Sequence, residues 1–165
     1  MAKRKNKGSS EGITAKGFFR LNILNPDGKV VGDTGWKKNQ VVNLGFQDYL
    51  CKTMAGSTGS KVITYGIIGT GTAPGAAATS LNGEITDAAA NRCAVTPTII
   101  ASKTVQFAFS LASNVCTEAK TIQNVALINH SSTATAGTIF CGNTYVTSAL
   151  ATNQSIAASY QIRFS

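Results

Sequence analysis

The sequence predicts an all-β fold, an antiparallel, jelly-roll-like sandwich of about eight strands with one short helix. Short segments in which apolar and polar residues alternate recur along the chain, and a period of two is typical of half-buried strands. Turn residues separate these segments at close spacing, whereas a helical period occurs in one place only. With 165 residues, we expect one β-sandwich domain over residues 17–165 and a flexible basic arm over residues 1–16.

The first hairpin is predicted from residues 19–31. Phe19, Leu21 and Ile23 alternate with polar residues and indicate a strand. The segment 25–28 reads Asn-Pro-Asp-Gly, a strong turn signal because Pro presets φ and Gly accepts positive φ. Residues 29–31 then return as the partner strand.

The only helix is predicted over Leu44–Met54, after a possible N-cap at Asn43 and before a stop at Gly56. Its apolar face is predicted from a spacing of four residues, with one aromatic residue beside it, and comprises Phe46, Tyr49, Leu50 and Met54. We expect this short helix to lie across an edge or end of a sheet.

The remaining strands are predicted at residues 61–68, 95–101, 105–111, 122–129, 137–145 and 155–164. Two of them alternate clearly. We expect their apolar residues to face the core or a subunit contact: Phe107, Phe109, Leu111, Tyr160, Ile162 and Phe164.

Charged residues make up only 13% of the chain, against roughly 25% in an ordinary soluble domain. A surface so poor in charge suits a protein that packs against neighbours or faces outwards on a rigid particle, and it predicts self-association or docking on a lattice. A β protein that is simply rich in small residues has the same composition.

The net charge of +8 is concentrated at the N-terminus, where the first twenty residues carry six cations and one anion, or +5. The candidate partner-binding residues are Lys3, Arg4, Lys5 and Lys7. Such an arm can contact nucleic acid, an acidic protein surface or lipid headgroups, or it can be a solvated terminus. No aromatic residue is interleaved with these cations, so we expect weak nucleic-acid binding and mainly anchoring to an acidic protein surface.

No pattern in the chain predicts catalysis, and we expect a protein that is not an enzyme and has no cofactor or metal. The segment Gly69–Thr72 reads Gly-Thr-Gly-Thr after a strand but lacks the Lys-Ser/Thr of a phosphate loop, so tight turning of the backbone explains it better. His130 is the only histidine, and no carboxylate is marked as its partner in a triad. The close carboxylates Glu84 and Asp87 predict a solvated face or a salt bridge to Arg92.

The four cysteines, Cys51, Cys93, Cys116 and Cys141, are widely spaced, without a C-x-x-C pair. This spacing predicts buried small hydrophobic residues in a reducing compartment, and cross-links after release from the cell stay open. Neither a secretory signal nor a membrane-spanning apolar run is apparent, so we expect assembly in a host cytoplasm without membrane contact.

The order of several motifs resembles small virion proteins of tailed bacteriophages. These motifs are Gly69–Thr72, Leu81 with Glu84 and Arg92, the strands 122–127 and 137–140, and the alternating end 160–164. The resemblance covers residues 60–165 and implies a non-catalytic β-sandwich of the head shell or tail apparatus, located in the virion. The basic arm and the cysteine-containing strands depart from that pattern.

We therefore expect a capsid decoration (cement) protein that binds the major capsid protein or other virion proteins and associates with itself. Three alternatives remain open: a tail or neck component, a small coat protein whose basic arm binds the genome, and a carbohydrate-binding sandwich. For the last, the chain has Trp36 and four tyrosines without a visible cluster.

Overall fold

The computed structural model describes residues 13–87, 92–113, 116–131 and 137–165. This part of the chain is mostly strand, with one helical segment after the third strand. The strands are β1 (Ala15–Leu24), β2 (Val30–Asp33), β3 (Lys37–Val41), β4 (Tyr65–Gly69), β5 (Cys93–Ala94), β6 (Thr96–Ala101), β7 (Thr104–Leu111), β8 (Lys120–Ile128), β9 (Ile139–Leu150) and β10 (Ser155–Phe164).

The strands pair antiparallel in the order β5-β4-β8-β9-β3-β1-β10-β7-β6. The strand β2 is outside this order and pairs with β1. The strand β3 connects two layers, because Lys37–Asn39 pair with β1 whereas Gln40 and Val41 pair with β9. One layer contains β1, β2, β6, β7 and β10, and the other contains β4, β5, β8 and β9. The predicted all-β, sandwich-like fold is confirmed.

The core between the layers follows the alternation of β1, β7 and β10. Phe19, Leu21 and Ile23 are buried on the inner side of β1, as predicted. Tyr160 of β10 stacks on Phe19 with 5.6 Å between ring centroids, and its hydroxyl donates a 3.0 Å hydrogen bond to the carbonyl oxygen of Val125 in β8. Tyr160 thus joins the two layers, and burial raises the pKa of its hydroxyl well above the ordinary value.

A second core covers the outer side of the layer that contains β8. Val125, Ala126, Leu127 and Ile128 all have 0% exposure, so both faces of this strand are buried. The segment after β4, for which the sequence predicts a tight turn at Gly69–Thr72 and no further element, supplies the cover. The second cluster comprises Val42, Ile67, Leu81, Ala126, Ile128 and Ile139.

The helical segment lies within the predicted range but presents a different face. It forms a π-helix over Gly45–Cys51 and a short α-helical turn over Lys52–Met54. Tyr49 is buried and its hydroxyl donates to the carbonyl oxygen of Thr138, whereas Phe46 and Met54 are 38% and 80% exposed. The predicted apolar face is correct for Tyr49 and for Leu50, which packs partly buried against the core, but it is wrong for Phe46 and Met54. The wider π-helical turn does not preserve the i, i+4 spacing of an α-helix.

Several predicted boundaries also differ. The arm was predicted to end at residue 16, but Ala15 and Lys16 belong to β1 and pair with Phe164 and Arg163. The strand predicted at residues 61–68 begins at Tyr65, and β3 and β5 were not predicted. A polar strand such as β3 has no apolar alternation by which the sequence could indicate it.

Candidate functional site

A group of cations surrounds an aromatic side chain on the outer side of the β1–β10 layer. We call Lys16, Phe18, Lys38 and Arg163 the basic face. Lys16 is directly opposite Arg163, and Phe18 is directly opposite Lys38. Lys16, Phe18 and Lys38 also line one depression of about 220 Å³. This grouping is not visible in the sequence, because pairing between distant segments brings the residues together.

The guanidinium of Arg163 is held over the ring of Phe18, with 4.5 Å from its Cζ atom to the ring centroid. Arg163 Nε and Nη2 donate to Gln161 Oε1 at 3.2 and 2.7 Å. Gln161 is itself fixed, since its Nε2 donates to Gln106 Oε1 at 3.0 Å. A chain of side-chain hydrogen bonds therefore orients the exposed cation of the basic face.

No carboxylate among the described residues forms a salt bridge with the basic face. The carboxylates that form salt bridges pair with other cations, such as Asp33 with Arg20, two residues along β1 from Phe18, and Asp87 with Lys120. The hydrogen bond from Arg20 lowers the pKa of Asp33, and the one from Lys120 lowers the pKa of Asp87. The basic face therefore keeps its positive charge uncompensated within the described residues.

A second candidate surface lies where the sandwich opens beside the helical segment. We call it the apolar mouth and define it by Leu50, Val62, Ile63, Ile99, Val105 and Phe164. A groove of about 260 Å³ and a neighbouring one of about 190 Å³ share Val105 and Phe164. Val62 and Ile99 are 71% and 81% exposed. Lys61 borders the first groove and Lys103 the second.

The strand β6 borders the apolar mouth as an open sheet edge. Among the described residues it pairs only with β7, and all of its own residues are exposed. Pro97 has no N–H to donate, and the register shifts between Ile99 and Ala101. Proline and bulges blunt an edge against the addition of another strand. A partner protein is therefore expected to contact this edge through side chains such as Ile99 rather than by adding a strand.

The predicted partner-binding residues Lys3, Arg4, Lys5 and Lys7 lie outside the described residues. The chain that carries them enters β1 at Ala15, next to Lys16 of the basic face.

The Gly69–Thr72 segment is packed against other parts of the chain. Asn124 is fully buried, and its Nδ2 donates to the carbonyl oxygens of Thr72 and Asn82, both at 2.8 Å. A Cβ atom on Gly71 would overlap with Asn82. These glycines permit close approach of two backbone segments, a role that the predicted tight turning did not include, although the chain does bend at Thr70 and Gly71 after β4.

Glu84 forms the predicted salt bridge with Arg92, which is buried, and Nη1 of Arg92 also donates to the carbonyl oxygen of His130 at 3.0 Å. Asp87 instead pairs with Lys120.

The prediction of buried cysteines is correct for Cys116 and Cys141 but wrong for Cys51, which is exposed on the helical segment, while Cys93 is half-buried.

In the described ranges, no three or more His, Cys, Asp or Glu side chains are grouped so that they could hold a metal ion. Nor does any described helix have the length and apolarity needed to cross a membrane.

Comparison with known protein families, curated proteins and solved structures found no match to this chain.

Proposed function

We propose that this protein is a non-enzymatic structural protein of a tailed-phage particle, and that it acts as a decoration (cement) protein that stabilises the head shell. The observation that carries the proposal is the apolar mouth, where the half-buried Phe164 packs against the core on one side and continues outwards to the exposed Val62 and Ile99 on the other. The order of motifs along the chain supports the phage setting.

Burial of this surface in an assembly would stabilise the assembly. Removing a large aliphatic side chain from water contributes about 1.5–3 kcal/mol. In the isolated chain Val62 and Ile99 are largely exposed, so most of this stabilisation would be gained only when a partner covers them. Apolar centres with polar rims are typical of surfaces that bind other proteins.

The charges beside the apolar mouth favour a partner of a different kind over a second copy. Neither Lys61 nor Lys103 forms a salt bridge with any carboxylate of the described residues. A partner with an apolar centre and an acidic rim would complement them, whereas two facing copies would add to the positive charge. We therefore assign the apolar mouth to the shell protein, and contacts between copies to other surfaces.

The test is incorporation into particles of the phage that encodes the chain. Mass spectrometry of purified particles should detect the protein at a copy number comparable to that of the major shell protein. A few copies per particle would instead favour the tail or neck alternative. Absence from the particles would contradict the proposal.

A matched pair of variants tests the surface. Ile99→Asp introduces charge into the apolar mouth at a position that is 81% exposed, so the fold should tolerate it, and we expect loss of incorporation. Val146→Asp makes the same change at an 80% exposed position of β9 that lies outside the apolar mouth, and incorporation should persist. Equal incorporation of both variants would show that the apolar mouth is not the docking surface.

A further inference from the structure

The cross-strand pairing of the basic face places two cations directly opposite one another. Lys16 and Arg163 face each other across β1 and β10, and Lys38 joins them from the third strand. Directly opposite residues of an antiparallel pair have Cβ atoms about 5 Å apart, and like charges there destabilise the sheet. An anionic ligand would remove this repulsion.

The aromatic ring of Phe18 indicates which kind of anion the basic face would bind. Phe18 occupies the polar phase of β1, on the side opposite to Phe19 and Leu21 of the core. Arg163 lies on the neighbouring antiparallel strand β10, opposite Lys16, and its guanidinium covers the ring of Phe18 at 4.5 Å, held there by Gln161. Aromatic rings and guanidinium planes are the groups on which unpaired bases stack, and flat sheet surfaces present them in single-strand binding proteins.

We propose that the basic face binds single-stranded nucleic acid. Lys16 and Lys38 pair with phosphates, and a base stacks on the platform formed by Phe18 and Arg163. An acidic protein surface would satisfy the cations but would make no use of the stacking platform.

This inference does not rest on the proposed structural role. It changes the expectation of weak binding, which followed from the absence of an aromatic residue among the cations of the arm. Phe18 supplies that residue, because the pairing of β1 with β3 and β10 places it between Lys38 and Arg163.

The experiment measures the binding of a fluorescently labelled thymidine oligonucleotide to the full-length chain by fluorescence anisotropy. The salt concentration is varied from about 50 to about 200 mM, since affinity that depends on phosphate contacts changes strongly over this range. We expect the logarithm of the binding constant to fall with the logarithm of salt, with a slope of about −0.7 for each phosphate neutralised. Replacing both Lys16 and Lys38 by alanine should make this slope shallower by about 1.4, since two phosphate contacts are lost.

Two further variants separate stacking from charge. Phe18→Leu should weaken binding about tenfold with an unchanged salt slope, because it removes the ring and no charge. Lys29→Ala is the matched control. Lys29 is exposed at the far end of the first hairpin and forms no salt bridge among the described residues. Its replacement should lower the affinity less than replacement of Lys16 or of Lys38. Unchanged thermal unfolding of each variant establishes that the fold is intact.

Three results would overturn the proposal. The first is no salt-dependent binding at 50 mM salt, and the second is binding by the Lys16/Lys38 and Phe18 variants equal to that of Lys29→Ala, which would place all binding in the arm. The third is displacement of the oligonucleotide by poly-glutamate at equal charge concentration, which would identify an acidic protein partner. None of these results depends on incorporation into particles, so failure here and failure of the structural proposal are distinguishable.

Discussion

Arg92 and Glu84 form a buried, bidentate ion pair, with Nε 2.6 Å from Oε1 and Nη2 3.0 Å from Oε2. The third nitrogen of Arg92 donates to the carbonyl oxygen of His130, just after β8. Glu84 also forms a β-bridge with Gly69 at the end of β4. The ion pair therefore fastens the segment that covers the second core to the sheet beneath it.

Replacing Glu84 by alanine should destabilise the protein by about 3–5 kcal/mol, because it leaves the guanidinium of Arg92 buried without its carboxylate. Urea unfolding followed by tryptophan fluorescence and circular dichroism measures the loss. The double variant Glu84→Leu with Arg92→Met should lose less than Glu84→Ala, since no buried charge remains unpaired. A Glu84→Ala variant as stable as the wild type would show that the pair is not buried in solution.

Gly45 begins the π-helical segment at a point where the backbone lies against β9. A Cβ atom there would overlap with the carbonyl oxygen of Phe140, a backbone atom that cannot move independently. Gly45→Ala should therefore destabilise the fold by about 1–3 kcal/mol through overpacking, although alanine is the better helix former. Thermal unfolding measures this effect.

Gly75→Ala provides the control for that substitution. A Cβ atom at Gly75 would meet nothing within 4 Å. The change should leave the unfolding temperature unaltered or raise it slightly, because alanine reduces the freedom of the unfolded chain. Equal destabilisation by both substitutions would argue against close contact between the helical segment and β9.

The strands that the sequence predicts well are those with one buried face. Phe19 on β1, Phe109 on β7 and Tyr160 on β10 follow strict alternation, and their burial agrees with it. The strand β8 is buried on both faces, so its sequence shows an apolar run. The run does not indicate which segment covers its outer face. The segment containing Leu81 does so, although its turn-rich composition gives no sign of it.

The basic face could not be predicted because its residues come from three strands that are distant in sequence. Phe18 could have given a signal, as an aromatic residue in the polar phase of an alternating strand, flanked by Lys16 and Arg20. The opposing positions of Lys38 and Arg163 depend on register, and register is fixed by tertiary pairing. Lys3, Arg4, Lys5 and Lys7 remain predictions, as they lie outside the described residues.

Phe109 and Phe164 were both predicted to face the core or a subunit contact, and their surroundings differ. Phe109 is 6% exposed and its ring lies against the backbone of Gly66, whereas Phe164 is half-buried at the apolar mouth. Phe109→Ala should cost about 3–5 kcal/mol of unfolding free energy, and Phe164→Ala should cost distinctly less. Chemical denaturation of both variants checks the difference, and a larger loss for Phe164→Ala would place the core boundary elsewhere.

The four thiols should differ sharply in reactivity. Cys51 is exposed, whereas burial raises the pKa of Cys93 to about 11 and also raises the pKa of Cys116 and Cys141. Because the thiolate is the reactive form, raising the pKa suppresses reaction at pH 8, where roughly one Cys93 thiol in a thousand would be ionised. A disulfide reagent at pH 8 should therefore modify one thiol per native chain rapidly, and Cys51→Ser should abolish that phase. Reaction at Cys93 should increase as the pH rises towards 11, and all four thiols should react in denaturant. Rapid modification of any thiol in the native Cys51→Ser variant at pH 8 would contradict this prediction and show that a buried cysteine becomes accessible readily.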